Sequence, residues 1–259
     1  MVREISIKLG EMGPDFAKRY PGAIRVTHST PNVDHYQIDW NVRPRGVVKL
    51  EHGNHSFTIE DVLGVLALQE LSELKPEGFT GYTIFAGVTD PDLISHNEAR
   101  LKTYAILKRI MEAGWKNTID VGDPRIRGKD RLRYALAQNK YVGLDVTYVP
   151  TLEEWMQIES RTPWTFYVNG VYMNVIFTRE RTLTDPTKPG SYLLTFNIKT
   201  ATEYFRAFAG PDNRLRWKEV LPQELAKVAA LRAQKEAELR ARGVAIDEAY
   251  QDPPAPAFK

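Results

Sequence analysis

Apolar and polar positions alternate from Arg3 to Leu9, which places Ile5, Ile7 and Leu9 on one face of a short strand. Gly13-Pro14-Asp15 opens a short helix over Phe16 to Tyr20, and Pro21-Gly22 ends it. Three strands are expected next, Ala23 to Thr27, His35 to Val42 and Gly46 to His52, with breaks at Pro44, Gly46 and Gly53-Asn54. From Ser56 to Glu73 the apolar residues are too dense for either period, and a strand followed by a short helix is the expected reading. Thr80 to Val88, aromatic and β-branched between glycines, predicts a buried strand.

The best-defined helix runs from His96 to Ala113. Ser95 is its expected N-cap, with Glu98 completing a capping box. Leu101, Tyr104, Leu107 and Met111 form its apolar stripe, and Gly114 stands where a left-handed stop belongs. Lys116 to Asp145 reads as a basic connection containing a short helix over Arg131 to Gln138. Thr151 and Glu154 mark the start of another helix. Trp164 to Val168, Asn169-Gly170 and Val171 to Arg179 predict a β-hairpin, because Asn-Gly tolerates the positive φ angles of a tight primed turn. Alternation sends Trp164, Phe166 and Val168 to one face and Thr165 and Tyr167 to the other. A Pro-rich loop over Thr184 to Gly190, a strand over Ser191 to Lys199 and a helix over Thr202 to Phe208 follow.

Pro222 to Arg242 is rich in Ala, Glu, Lys and Arg and predicts a helix with a thin stripe of Leu225, Val228, Leu231 and Leu239. Gly243 stops it, and Asp252 to Ala257 reads as an extended tail. The expected class is α+β: antiparallel sheets with packed helices, organised as units 1–118 and 119–220 plus a C-terminal helix and tail over 221–259. The order of helix, strands and helix recurs in the first two units, an echo that residue identities support only weakly.

At 259 residues and 42% hydrophobic the chain can build a sizeable core. A net charge of +2 gives no global field toward nucleic acid or anionic lipid. There is no cysteine, which excludes disulfides, thiolate metal sites and cysteine nucleophiles. No apolar run approaches the ~20 residues that span a bilayer.

Candidate chemistry is sparse. His52 and His55 lie three apart, but Gly53-Asn54 marks a turn and no third ligand stands nearby, so no metal is expected. His96-Asn97-Glu98 has the H-x-E look of a zinc deaminase without the cysteines that chemistry needs. No serine-hydrolase elbow and no phosphate-binding glycine loop is present, and no cofactor is expected. Asp34, Asp39 and Glu60 are carboxylates in the strand-rich first half, and a paired-carboxylate hydrolase stays open on sequence grounds. The sharpest charge feature is the basic run from Arg125 to Arg133. Arg125, Arg127, Arg131 and Arg133 are candidate steering charges toward an acidic protein surface or, alternatively, phosphates. Tyr167 and Tyr172 are candidate partner-binding anchors.

His96-Asn97-Glu98-Ala99-Arg100, Tyr104, Ala113-Gly114-Trp115, Pro150 to Trp155 and the Trp164 to Val171 hairpin together resemble a pattern in proteobacterial proteins encoded beside type VI secretion effectors. Those proteins are similar to periplasmic immunity proteins for phospholipase effectors, and the likeness runs over roughly Thr80 to Phe208. The resemblance implies a cognate effector protein as partner, occluded without catalysis. It also implies a periplasmic location if a leader has been removed, the cytoplasm being expected otherwise. An enzyme of unrecognised type and a nucleic-acid binder using residues 125–133 remain the alternatives, and oligomeric state is not legible.

Overall fold

A computed structural model describes residues 2–30, 32–71, 77–138 and 141–256. The fold is α+β, built on one ten-stranded sheet. Its strands are β1 (Glu4–Ile7), β2 (Arg25–Thr30), β3 (Val33–Asp39), β4 (Gly46–Leu50), β5 (Phe57–Glu70), β6 (Gly81–Gly87), β8 (Lys116–Thr118), β9 (Pro163–Val168), β10 (Val171–Arg179) and β12 (Tyr192–Thr200). Two short segments, β7 (Ile94–Ser95) and β11 (Pro189–Gly190), pair separately. The main order is β1-β4-β5-β6-β12-β10-β9-β8, with β3 beside β4 along one edge of β5 and β2 outside β3. All pairings in the sheet are antiparallel except β1 with β4. Strands from both sides of residue 118 thus belong to the same sheet, joined where β12 pairs β6 and β8 pairs β9.

The helices are α1 (Gly13–Arg19), α2 (His96–Glu112), α3 (Gly128–Leu136), α4 (Leu152–Gln157), α5 (Ala201–Phe208) and α6 (Trp217–Ala241). The ambiguous run from Ser56 is a single 14-residue strand, without the short helix expected at its end as far as the described residues extend. β3 and β4 on one edge and β6 on the other make it the spine of the sheet, and it is dense in apolar residues because Leu66 and Leu68 on the outer face add to the buried Ile59, Val62, Val65 and Ala67. Two register shifts interrupt it, one against β4 between Ile59 and Val62 and one against β6 between Val62 and Gly64.

The main core lies on one sheet face, where Ile38, Val65, Ile84, Phe196, Val175 and Trp164 form one cross-strand row. Helix α2 covers this row, with Tyr104 set edge-on to Trp164 at 5.7 Å, and α4 adds Trp155 stacked on Phe177 at 4.7 Å. The α2 stripe differs from expectation. Tyr104 and Leu107 are buried as expected, but Leu101 is 49% exposed while Ala99, Thr103 and Ile110 are buried, because the sheet meets α2 a fraction of a turn toward those residues. Ser95 does cap α2, its hydroxyl accepting from the Glu98 N–H at 3.2 Å, and Gly114 takes φ +90°. At α4 the capping box is complete in both directions. In the β9–β10 turn Asn169 and Gly170 both have positive φ, as the sequence predicts.

A smaller core occupies the opposite sheet face, under α5 and α6, around Tyr172, Phe205, Trp217 and Leu221. Helix α6 begins five residues before Pro222, and Leu231 of its expected stripe is 53% exposed. Leu225 and Leu239 of that stripe do pack inward, and polar tethers add to this apolar contact. Glu236, 2% exposed, accepts from the Arg125 backbone N–H and from Nε and Nη2 of the same residue. Arg232 pairs with Asp252 of the tail and donates to the Asp120 carbonyl at 2.8 Å.

Candidate functional site

The basic stretch does not form an exposed positive face. Arg131, 2% exposed, donates to the carbonyls of Gly143 and Pro124 and, at 3.1 Å, to the Asp123 carboxylate. It is therefore a structural cation, out of reach of a partner. Arg125 is held by Glu236 and Glu248, and Arg127 by Asp247 at 3.0 Å with Tyr250 beneath its guanidinium. Lys129 pairs with Glu154, and Arg133 with Asp130 one turn back. Only Arg133 of the four candidate arginines has a side chain mostly in solvent.

The two tyrosines are not presented either. Tyr172 is 5% exposed and stacks on Tyr204 of α5 at 3.9 Å. Half-buried Tyr167 lies 4.9 Å from Tyr172, and its hydroxyl accepts from the Gly170 N–H. Alternation put Tyr167 on the opposite face from Trp164, and α5 and α6 cover that face. The histidine pair is also structural: His55 Nδ1 bonds the Ala113 carbonyl, and His52 Nε2 approaches the Val168 carbonyl. No group of three metal-ligating residues occurs among the described residues.

The chain does gather ionisable groups at one buried point. The Tyr192 hydroxyl meets Arg179 Nε at 3.1 Å, Trp155 Nε1 at 3.1 Å and His96 Nδ1 at 2.6 Å. The first two nitrogens can only donate, so the tyrosine proton goes to His96 Nδ1. His96 then carries its own proton on Nε2 and donates it to the Asp185 carbonyl at 3.1 Å. Arg179 also donates to the carbonyls of Met156 and Trp155. Every group in this cluster has a partner, so it locks β10, β12, α2, α4 and the 180–190 loop together. Gly190 permits the packing, since a Cβ there would lie 2.4 Å from the His96 ring.

Burial, and then the nearby Arg179 charge, push the His96 imidazole below the ordinary histidine value of 6.5. The unfolded chain then binds the extra proton first as pH falls. Stability should accordingly be insensitive to His96 above about pH 7 and decline below 6.5. An NMR titration checks this; an imidazole midpoint at or above 6.5 contradicts it.

Two open surfaces remain. One is a groove of about 440 Å³ between α2 and the β5–β6 pair, floored by Ile59, Ala86, Ile106 and Phe196. At its end stands Asp61, at the first β5 register shift, with φ +52°. Asp61 also borders two further depressions, one toward Asp90 and Leu193 and one toward Arg43 and Gly46. Among the described residues no hydrogen bond or ion pair holds its half-buried carboxylate. Burial, with Asp90 and Glu60 adding like charge, raises its carboxyl above the ordinary aspartate value.

The second surface is the part of the outer sheet face that α5 and α6 leave bare. Cross-strand rows there read Gln37–Leu66–Thr83–Asn197–Asn174 and Asp39–Gly64–Phe85–Thr195–Ile176, with Leu193 opposite Thr178 in the next row. Leu66, Phe85, Ile176 and Leu193 are half-buried, and Leu68 is 45% exposed.

No family model, curated protein or solved structure matches this chain.

Sequence reasoning did not single out Asp61, Arg179 or Tyr192. For Asp61 the available signal was Glu60-Asp61 inside an otherwise apolar run, which marks a bulge. Nothing local distinguishes Arg179 or Tyr192, whose partners lie up to 96 residues away.

Proposed function

We propose that this protein is a binder: an immunity protein that neutralises a secreted antibacterial effector by covering it, without a catalytic step of its own. The bare outer sheet face carries the proposal. An antiparallel sheet that faces water ordinarily alternates toward charged and polar side chains. Here β5, β6, β12 and β10 present Leu66, Leu68, Phe85, Leu193 and Ile176 among threonines and asparagines, with no charge between Gly64 and Leu68, Gly81 and Gly87, Leu193 and Asn197, or Asn174 and Thr178. A charge-poor, partly apolar centre is what distinguishes the core of a protein–protein interface from ordinary surface. A sheet also supplies the rigidity that keeps the ordering cost of binding low.

Two further observations support binding over the alternatives. In the buried cluster of His96, Arg179 and Tyr192 each polar group is already engaged by another group of the chain, so the cluster itself offers no free base. The cations from Arg125 to Arg133 each face a carboxylate of this chain, which weakens a nucleic-acid reading. The resemblance to immunity proteins supplies the class of partner. No helix of the described residues is long and apolar enough to cross a membrane.

Co-expression with the product of the adjacent gene tests the reading. A stable complex that silences the partner's toxicity is expected. Phe85→Lys should weaken it by about 30-fold or more, the effect of losing one interface hot spot, without lowering the melting temperature appreciably. Failure to form a complex, together with turnover of a lipid or glycan substrate by the purified protein, would replace binding by catalysis.

A further inference from the structure

We propose that the groove between α2 and the β5–β6 pair receives a lysine or arginine side chain of the partner, its aliphatic stem on the groove floor and its cation against Asp61. The inference rests on the binding function proposed above and names the chemistry of one contact.

Shape and charge together select this occupant. The floor of Ile59, Ala86, Ile106 and Phe196 is apolar and suits methylene groups. Basic side chains combine such a stem with a charged head. The head needs a carboxylate that the chain has not already neutralised, and Asp61 supplies one. Its nearest basic neighbours are engaged elsewhere. Lys102 Nζ donates to the Thr89 hydroxyl at 2.7 Å and pairs with Glu98. Arg43 is taken by Asp90 and Asp92, and Arg109 faces Glu60. Lys102 and Arg109 also line the groove, but each already faces a carboxylate of the chain, so among the described residues the charge left without an ion pair there is Asp61, and an anionic occupant would meet it with Glu60 beside it.

The backbone at Asp61 is consistent with a residue kept for its carboxylate. Left-handed backbone is sparsely populated by residues other than glycine, although aspartate and asparagine tolerate it better than most. Glycine would relieve the strain and asparagine would preserve the shape, but neither retains the charge.

The test uses the whole chain labelled with ¹⁵N. Nα-acetyl-lysine methylamide, Nα-acetyl-arginine methylamide and the isosteric norleucine derivative are titrated separately. At least one basic derivative should give saturable shifts at Gly87, Thr89, Lys102 and Ile106, and norleucine should bind at least tenfold more weakly. Asp61→Asn should fold with unchanged stability and lose that preference. Equal response to norleucine, the same basic preference in Asp61→Asn, or no saturable shift with any derivative overturns the inference. With the co-expressed partner, Asp61→Asn should weaken the complex at least tenfold. Equal affinity of the two forms refutes the Asp61 contact and leaves the binding function standing. Absence of any complex refutes the binding function itself, and the derivative titration still decides what the groove accepts.

Discussion

Replacing Arg131 by methionine is expected to destabilise the protein by about 3 kcal/mol or more, whereas Arg133→Ala, two residues on, should change stability by no more than about 0.5 kcal/mol. Both arginines belong to the same basic run, yet their surroundings differ. Arg131 has 2% of its side chain exposed and Arg133 has 66%. Removing the Arg131 guanidinium leaves the Gly143 and Pro124 carbonyls without their donor and Asp123 with only Lys235, 3.7 Å away, as a cation. Asp120, whose carboxyl is already pushed up by burial and by Asp123, loses a compensating charge as well. An uncompensated buried charge is among the most destabilising products of a single substitution. The Arg133–Asp130 pair is a solvent-exposed pair within one helix, which contributes little. Urea unfolding of the two variants against wild type measures the contrast, and similar midpoints would show that Arg131 is not the buried cation described here.

Tyr192→Phe is expected to cost about 2–4 kcal/mol for the loss of a single oxygen atom. The phenyl ring fits the same space, so packing against Trp155 and Phe177 is retained and the loss is polar. Three groups lose a partner at once: Arg179 Nε, Trp155 Nε1 and His96 Nδ1. Leaving buried donors and acceptors unmatched is costlier than removing a bond in water, and here one of the donors is charged. Thermal unfolding checks the magnitude. A variant as stable as wild type would mean that water enters the cluster and restores the three contacts.

The elements set by local chemistry were legible. Thr151 with Glu154 marked the start of α4, Gly114 marked the end of α2, and Asn169-Gly170 marked the hairpin. Each depends on backbone groups within about four residues, so the signal and its structural consequence share one stretch of chain. β5 was only half legible, because its outer face also carries Leu66 and Leu68 and two register shifts switch the phase of its alternation. Helix α6 was legible as a helix but not in its attachment, since Glu236 and Arg232 read as surface charges until Arg125 and Asp252 are brought against them.

The candidate sites divide in the same way. Charge and aromatic content pointed to Arg125–Arg133 and to Tyr167 and Tyr172, and the fold turns most of these inward. Composition counts a cation without knowing whether a carboxylate more than a hundred residues away will meet it, as Glu236 meets Arg125. Asp61 reverses the case: an ordinary acid in an apolar run stands at the junction of three depressions, and among the described residues no hydrogen bond or ion pair holds its carboxylate.

By itself the sequence determined that this is an α+β chain, where its turns and helix caps fall, which hairpin residues share a face, and that no cysteine chemistry operates. Only the tertiary structure decided that strands from both halves form one sheet, that α6 and the tail are held by partly buried ion pairs, and which sheet face stays open. The division follows from range. Turns and caps minimise free energy within a few residues, whereas burial and the pairing of a charge depend on which distant segments the chain brings into contact.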